Sequence, residues 1–179
     1  AAPMLGGWGA VARGPELEAV DGASVRPLLV PAGHVHVMVF TSPECPIANG
    51  YAPRLRELVR EFEGRPVQWF LVHVDPDVDA ARAGAHRREF ELPGRVLLDP
   101  QQRLASELGI TRTPEAAVVT PTGLAYRGRI DDQWLRLGSR APAASQHDLR
   151  DAVQAVLAGR VVESPHPAAV GCRLPEPRR

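Results

Sequence analysis

Lysine is absent from this chain: all 21 basic residues are arginine, and they are balanced by 21 acidic residues to a formal net charge of zero. Without lysine there is no amine for a Schiff base and no lysine to tune as a general base. Without a surplus of positive charge there is no electrostatic footprint for nucleic acid. No apolar run approaches the roughly 20 residues of a membrane span. Cysteine is nearly absent too, with only Cys45 and Cys172. Three positions after Cys45, where a CxxC dithiol would carry its second sulfur, stands Ala48, so a dithiol cycle within one helical turn is excluded. What remains is 179 residues, 44% hydrophobic and 23% charged. That is one soluble globular domain with some decoration.

The most informative stretch runs from Phe40 through Thr41, Ser42, Pro43 and Glu44 to Cys45 and Pro46. Val35, Val37 and Val39 alternate with His34, His36, Met38 and Phe40, the pattern of a central strand. From Pro46 to Glu63, Ile47, Tyr51, Leu55, Leu58, Val59 and Phe62 recur at helical spacing, and Pro53 should kink that helix. Cys45 therefore stands at a helix start. Unpaired backbone N–H groups there favour thiolate over thiol, and the thiolate is the nucleophile. Pro46 suits the first helical position, which needs no N–H. The alternative reading is a free cysteine acting as a small buried hydrophobe.

Further elements follow from the same rules. Ser24 to Val30 reads as a short strand and Val67 to Val74 as a buried one, ended by Asp75-Pro76-Asp77, which should cap a helix over Val78 to Phe90. Arg95 to Leu98 leads to a small helix over Leu104 to Leu108 that Gly109 stops. Glu115 to Thr120 and Leu124 to Ile130, joined by Pro121-Thr122-Gly123, form an antiparallel hairpin, and His147 to Ala158 is the last helix. The order predicts an α/β fold with a central mixed sheet flanked by helices on both faces. Residues 1–23 are expected to be an N-terminal extension, with an irregular lead-in over Ala1 to Pro15, and residues 24–160 the domain. Residues 161–179 form a proline-rich tail carrying Cys172, which composition predicts to be loose.

Four features together resemble the thioredoxin-like superfamily, within it the redoxin group of alkyl hydroperoxide reductase and thiol-specific antioxidant proteins. They are the apolar strand entering Cys45-Pro46, the mid-helix Pro53, the Thr113-Pro114 step before a strand, and the final hairpin plus helix. The resemblance implies a thioredoxin-like fold in which Pro114 is cis and lies, with Thr113, against Cys45, where the backbone preceding the proline can pair with a bound peptide or disulfide. It implies a thiol-dependent oxidoreductase, performing thiol-disulfide exchange or peroxide reduction, with Cys45 as nucleophile and Cys172 or an external thiol releasing the intermediate. Thr41 or Ser42 would donate a hydrogen bond to the reacting group. Pro46, Arg112, Thr113, Pro114, Glu115, Arg127 and Arg129 would form the substrate groove. No cofactor is implied. The partners would be a protein or small-molecule disulfide or a peroxide, with an external thiol reductant. The chain departs from the family pattern at Ala48, and at Met38, where the peroxidase motif has proline. Glu44 and Glu115 are the candidates to replace a missing buried carboxylate.

Other features have two readings. Cys172 is either an idle tail residue or the partner of Cys45. His34 and His36 lie two apart on a strand and share a face, which suits a metal site beside a thiolate or ordinary strand histidines. A copper chaperone of the Sco type would need a second cysteine at Thr41, so the alternative to an enzyme is a non-catalytic redoxin-fold binding module or a copper-binding, chaperone-like protein. His73 is read as packed or capping. The cluster Arg127-Gly128-Arg129-Ile130-Asp131-Asp132 is solvated surface or part of the site. Ala1-Ala2-Pro3-Met4 resembles the end left after signal-peptide removal, as would a trimmed chain. The expectation from it is a periplasmic or secreted location.

Overall fold

The computed structural model describes residues 14–177. The predicted lead-in therefore falls, through residue 13, outside the described residues. The chain begins with β1 (Leu17–Ala19), β2 (Ser24–Val25) and β3 (Val35–Thr41), followed by α1 (Pro46–Gly50) and α2 (Ala52–Glu61). Next come β4 (Val67–His73), α3 (Ala80–Phe90), β5 (Arg95–Leu98) and α4 (Arg103–Leu108). Then follow β6 (Arg112–Thr113), β7 (Glu115–Thr120), β8 (Gly123–Gly128), β9 (Trp134–Arg136), β10 (Ser139–Arg140), α5 (Asp148–Leu157) and β11 (Cys172–Arg173).

Seven strands make one sheet in the order β2-β1-β5-β4-β3-β7-β8. Strands β3, β4 and β5 are parallel to one another, while β1 joins β5 and β7 joins β3 antiparallel. All seven residues of β3 are buried, as expected for an interior strand covered on both faces. Its alternation divides the core in two. Val35, Val37 and Val39 pack with Leu55 and Leu58 of α2 and with Leu149 and Val153 of α5. Met38 and Phe40 point the other way, among Leu104 and Leu108 of α4. This is the mixed sheet with helices on both faces that the sequence predicts. Among the described residues no helix is long and apolar enough to cross a membrane.

Several local expectations are corrected. The single kinked helix over Pro46 to Glu63 is two helices. Pro53 has no N–H to offer the carbonyl of Asn49, and the Tyr51 N–H, shared between Ile47 (3.2 Å) and Ala48 (3.1 Å), closes α1. The strand from Ser24 extends only to Val25. The side chain that caps α3 belongs to Asp79, which accepts from the Arg82 N–H at 2.8 Å, rather than to Asp75 or Asp77. Strand β1 was not foreseen, nor was the small β9–β10 hairpin, whose Trp134 packs on Tyr51.

The tail is also more ordered than its composition suggests. The N–H groups of Arg127 and Arg129 donate to the carbonyls of Pro165 (2.9 Å) and Pro167 (3.2 Å), so the tail covers the outer edge of β8. The prolines have no N–H and pair only as acceptors. Further along, β11 pairs antiparallel with β6, Cys172 opposite Thr113 and Arg173 opposite Arg112.

Candidate active site

Strand β3 delivers the chain to the site, and a tight turn sets Cys45. The Cys45 N–H donates to the Ser42 carbonyl at 3.1 Å, and the Ser42 hydroxyl accepts the Glu44 N–H at 3.2 Å. The Asn49 side chain reaches back to the Pro43 carbonyl at 2.9 Å. Cys45 is the N-cap of α1, with extended backbone and its sulfur 3.4 Å from the Ala48 N–H. Because α1 is only five residues long, the Ala48 N–H, rather than the dipole of a long helix, is what the sulfur meets.

Two other segments close over it. The Thr113–Pro114 peptide is cis, and the Thr113 carbonyl lies 3.0 Å from the Cys45 sulfur. From the tail, the Cys172 sulfur stands 2.7 Å from that of Cys45. Both are free thiols. Cys45 is 1% exposed, whereas Cys172 is half-buried. The Cys172 thiol is pushed up to about 12 by burial and by the Cys45 sulfur beside it, against the opposing pull of the Arg112 guanidinium and the Ile47 N–H. Arg112 also donates to the Gly171 carbonyl at 3.2 Å.

Among the described residues, the remaining candidates make no hydrogen bond or ion pair with the Cys45 sulfur. Thr41 is buried at the end of β3, opposite His73. Ser42 donates to Asp75 at 2.9 Å. Glu115, directly after Pro114, spends its carboxylate on the N–H groups of Thr111 (2.8 Å) and Arg112 (3.2 Å). Arg127 is held by the Leu108 carbonyl at 3.2 Å and faces Glu115 at 3.9 Å. Arg129 binds Asp148 at 2.7 Å. Glu44 is exposed and paired with Arg82.

Two features escaped sequence reasoning. The first is Asp75, whose carboxyl is raised chiefly by burial and whose Oδ2 has no partner; its place in an Asp-Pro-Asp turn masked it. The second is a buried chain behind α1. Asn49 Oδ1 only accepts, so His86 Nε2 donates to it at 2.7 Å, and His86 Nδ1 in turn accepts from His73 Nε2 at 2.9 Å. Both rings are then neutral, and His73 Nδ1 is left without a partner. Burial holds the His73 imidazole down at about 3 and lowers His86 as well.

The histidine site at the start of β3 is not built. His36 is buried with its Nδ1 2.7 Å from the Pro27 carbonyl, while His34 bonds the Ala32 carbonyl at 3.2 Å. At roughly 3.3 Å per residue, most of the strand separates them from Cys45. Among the described residues no cluster of three His, Cys, Asp or Glu side chains is arranged to hold a metal ion.

A strand entering a cysteine at a helix start, a cis-proline segment against its sulfur and a mixed sheet between helices define the thioredoxin-like fold. Residues 9–130 match the model of the AhpC/TSA family, and the chain belongs to that family. Among curated proteins none matches it. Solved structures agree on the fold. A hypothetical protein from Sinorhizobium meliloti superimposes with a TM-score of 0.74 at 22% identity, over 90% of each chain. An uncharacterized conserved protein from Geobacillus kaustophilus gives 0.74 at 21%, over 91% of this chain and 89% of that one. A secreted disulfide oxidoreductase of Mycobacterium tuberculosis, homologous to DsbE of E. coli, gives 0.56 at 16%, over 82% and 96%. Fold and family together support a thiol oxidoreductase in general terms.

Proposed function

We propose that the protein is a thiol-disulfide oxidoreductase in which Cys45 attacks and Cys172 resolves. The observation that carries the reading is the approach of the two sulfurs, 127 positions apart in sequence, to 2.7 Å beside the Thr113 carbonyl. In the first step the Cys45 thiolate attacks one sulfur of a disulfide R–S–S–R′. A Cys45–S–R bond forms and R′–S⁻ leaves, taking a proton from water. Cys172 then loses its proton to solvent and attacks the Cys45 sulfur, forming the Cys45–Cys172 bond and expelling R–S⁻. The substrate gains two electrons as two thiols, and the protein dithiol loses them. An external thiol reductant reverses the change.

The electrostatics support this order. Burial and the Cys45 sulfur beside it hold the proton on Cys172, which suits Cys172 to the second step rather than the first. Once Cys45 is in a mixed disulfide its contribution is gone, and burial alone is left to oppose the pull of Arg112 and the Ile47 N–H on the Cys172 thiol.

Pro46, Thr113 and Pro114 shape the groove, and Arg112 acts on Cys172. Thr41, Ser42, Glu115, Arg127 and Arg129 support these elements rather than touch the sulfur. Family membership favours a second reading, peroxide reduction, which would make a Cys45 sulfenic acid for Cys172 to condense with. The engagement of Arg127 and Arg129 elsewhere weighs against it. An extracytoplasmic location is the compartment we favour, where disulfide substrates form and persist, and one structural relative is described as secreted.

The test mixes reduced protein with the aromatic disulfide of thionitrobenzoate. Wild type should release two equivalents of thionitrobenzoate per chain and keep no adduct. Cys172→Ser should release one and keep the adduct on Cys45. If wild type kept two adducts and formed no internal disulfide, or if Cys45→Ser, with Cys172 alone, released its one equivalent as fast as wild type releases its first, the reading would be lost. If only peroxide oxidised the pair, the second reading would replace it.

A further inference from the structure

The space against Thr113 that an extended polypeptide would use is occupied by the chain's own tail. From Pro165 to Pro175 the tail is held at five places, largely through its main chain. These are the β8-edge bonds to Pro165 and Pro167, the Arg112 bond to the Gly171 carbonyl, the β11–β6 pairing, and a bond from the Gln102 side chain to the Pro175 carbonyl at 2.6 Å. Two glycines are fitted to the approach. A Cβ on Gly128 would overlap the Pro167 carbonyl oxygen, and one on Gly171 would overlap the Thr113 carbonyl oxygen and stand 2.7 Å from its carbon. Val170 and Leu174 pack on the two cores, one on each face of the sheet. The docked segment leaves Cys45 1% exposed.

Backbone pairing of this kind is how a strand-adding ligand binds: main chain gives affinity, and one or two side chains give specificity. We propose that residues 165–175 are a tethered lid that fills the strand position at Thr113, so that opening of the tail controls access of an extended, cysteine-bearing polypeptide to Cys45. The inference rests on Cys45 being the reactive thiol. A tethered occupant competes at an effective concentration on the order of millimolar, so an external polypeptide enters only when the lid lifts. The Cys45–Cys172 bond would lock the lid shut, and reduction would unlock it.

The test reads access rather than redox chemistry. In full-length Cys172→Ser, which carries a single thiol, the alkylation rate of Cys45 by N-ethylmaleimide is measured relative to the same chain in denaturant. Adding Gly171→Val should raise the native-state rate at least about tenfold, because the new side chain collides with Thr113. A synthetic peptide of residues 165–175 with serine at 172, at millimolar concentration, should slow it again. Rates within twofold of each other, or no effect of the peptide, would overturn the lid. Should Gly171→Val fail to fold, amide hydrogen exchange on the reduced wild-type chain decides. Residues 171–174 should exchange well before β3 and β4, and exchange only together with those strands would overturn the proposal. If the lid opens as expected over a Cys45 that does not exchange with disulfides, the proposed function fails and only the tail's control of access to Cys45 stands.

Discussion

Linking Cys45 to Cys172 should stabilise the fold by an amount set mainly by loop length. The two residues are 127 positions apart. A loop of that length removes about 16 cal/mol/K of entropy from the unfolded chain, or about 5 kcal/mol at 25 °C. The tail already lies along β8 and β6 with both thiols free, so the native state needs no large rearrangement to form the bond. With a urea slope of about 2 kcal/mol/M for a chain of this size, oxidation should move the unfolding midpoint up by about 2.5 M. By linkage, the pair in the folded chain should be about 100 mV harder to reduce than in the unfolded chain. The assay is a pair of urea melts, reduced and oxidised, with thiols counted on both samples. A difference below about 1 kcal/mol at unchanged slope would refute the reasoning.

Three further outcomes follow from single contacts. His73 is held neutral well below its unfolded value near 6.5. Its contribution to stability is therefore complete above pH 6.5 and lost as pH falls toward 3, at up to about 1.4 kcal/mol per pH unit; His73→Phe should flatten the slope of urea melts between pH 4 and 6.5, and an unchanged slope would discount this histidine. Asp75, raised by burial, favours its protonated form, so its ionised form is a cost above about pH 4. Asp75→Asn keeps an acceptor for Ser42 and should be neutral or stabilising by up to about 1 kcal/mol at pH 7, whereas a loss of about 2 kcal/mol in thermal melts would show that the charge is needed. A Cβ at Gly50 would lie 2.6 Å from Trp134 Cζ2, so Gly50→Ala should cost about 1 to 3 kcal/mol. Trp134→Ala in the same chain should recover part of it, and strict additivity in the double-mutant cycle would contradict that contact.

The sequence made the strand into Cys45, the β7–β8 hairpin and the last helix legible, because their alternation or helical spacing persists over six or more residues. Pro53 was visible as a disturbance, but not as a full break, which depends on Tyr51 closing α1 and on its hydroxyl bonding Asp131 at 2.6 Å. Leu17–Ala19 is too short to show a period, and its strand exists because the edge of β5 accepts it. The tail is the largest loss. Its proline content reads as disorder, whereas its order comes from carbonyls pairing with N–H groups of distant strands, a partnership no local pattern displays. One signal was present: the glycine before Cys172 marks a close approach of backbones. His86 and Asp75 were hidden for a related reason, since each acquires its role only from a residue on another element.

The central claim is that Cys45 and Cys172 form one redox pair. It is tested most directly by mass spectrometry of wild-type protein after one equivalent of a small disulfide, followed by proteolysis without reduction. The account predicts a monomer lighter by about 2 Da, the loss of two hydrogens, and a single cross-linked peptide joining Cys45 to Cys172. Two alkylatable thiols, a stable adduct on Cys45, or a dimer linked through Cys172 would contradict it.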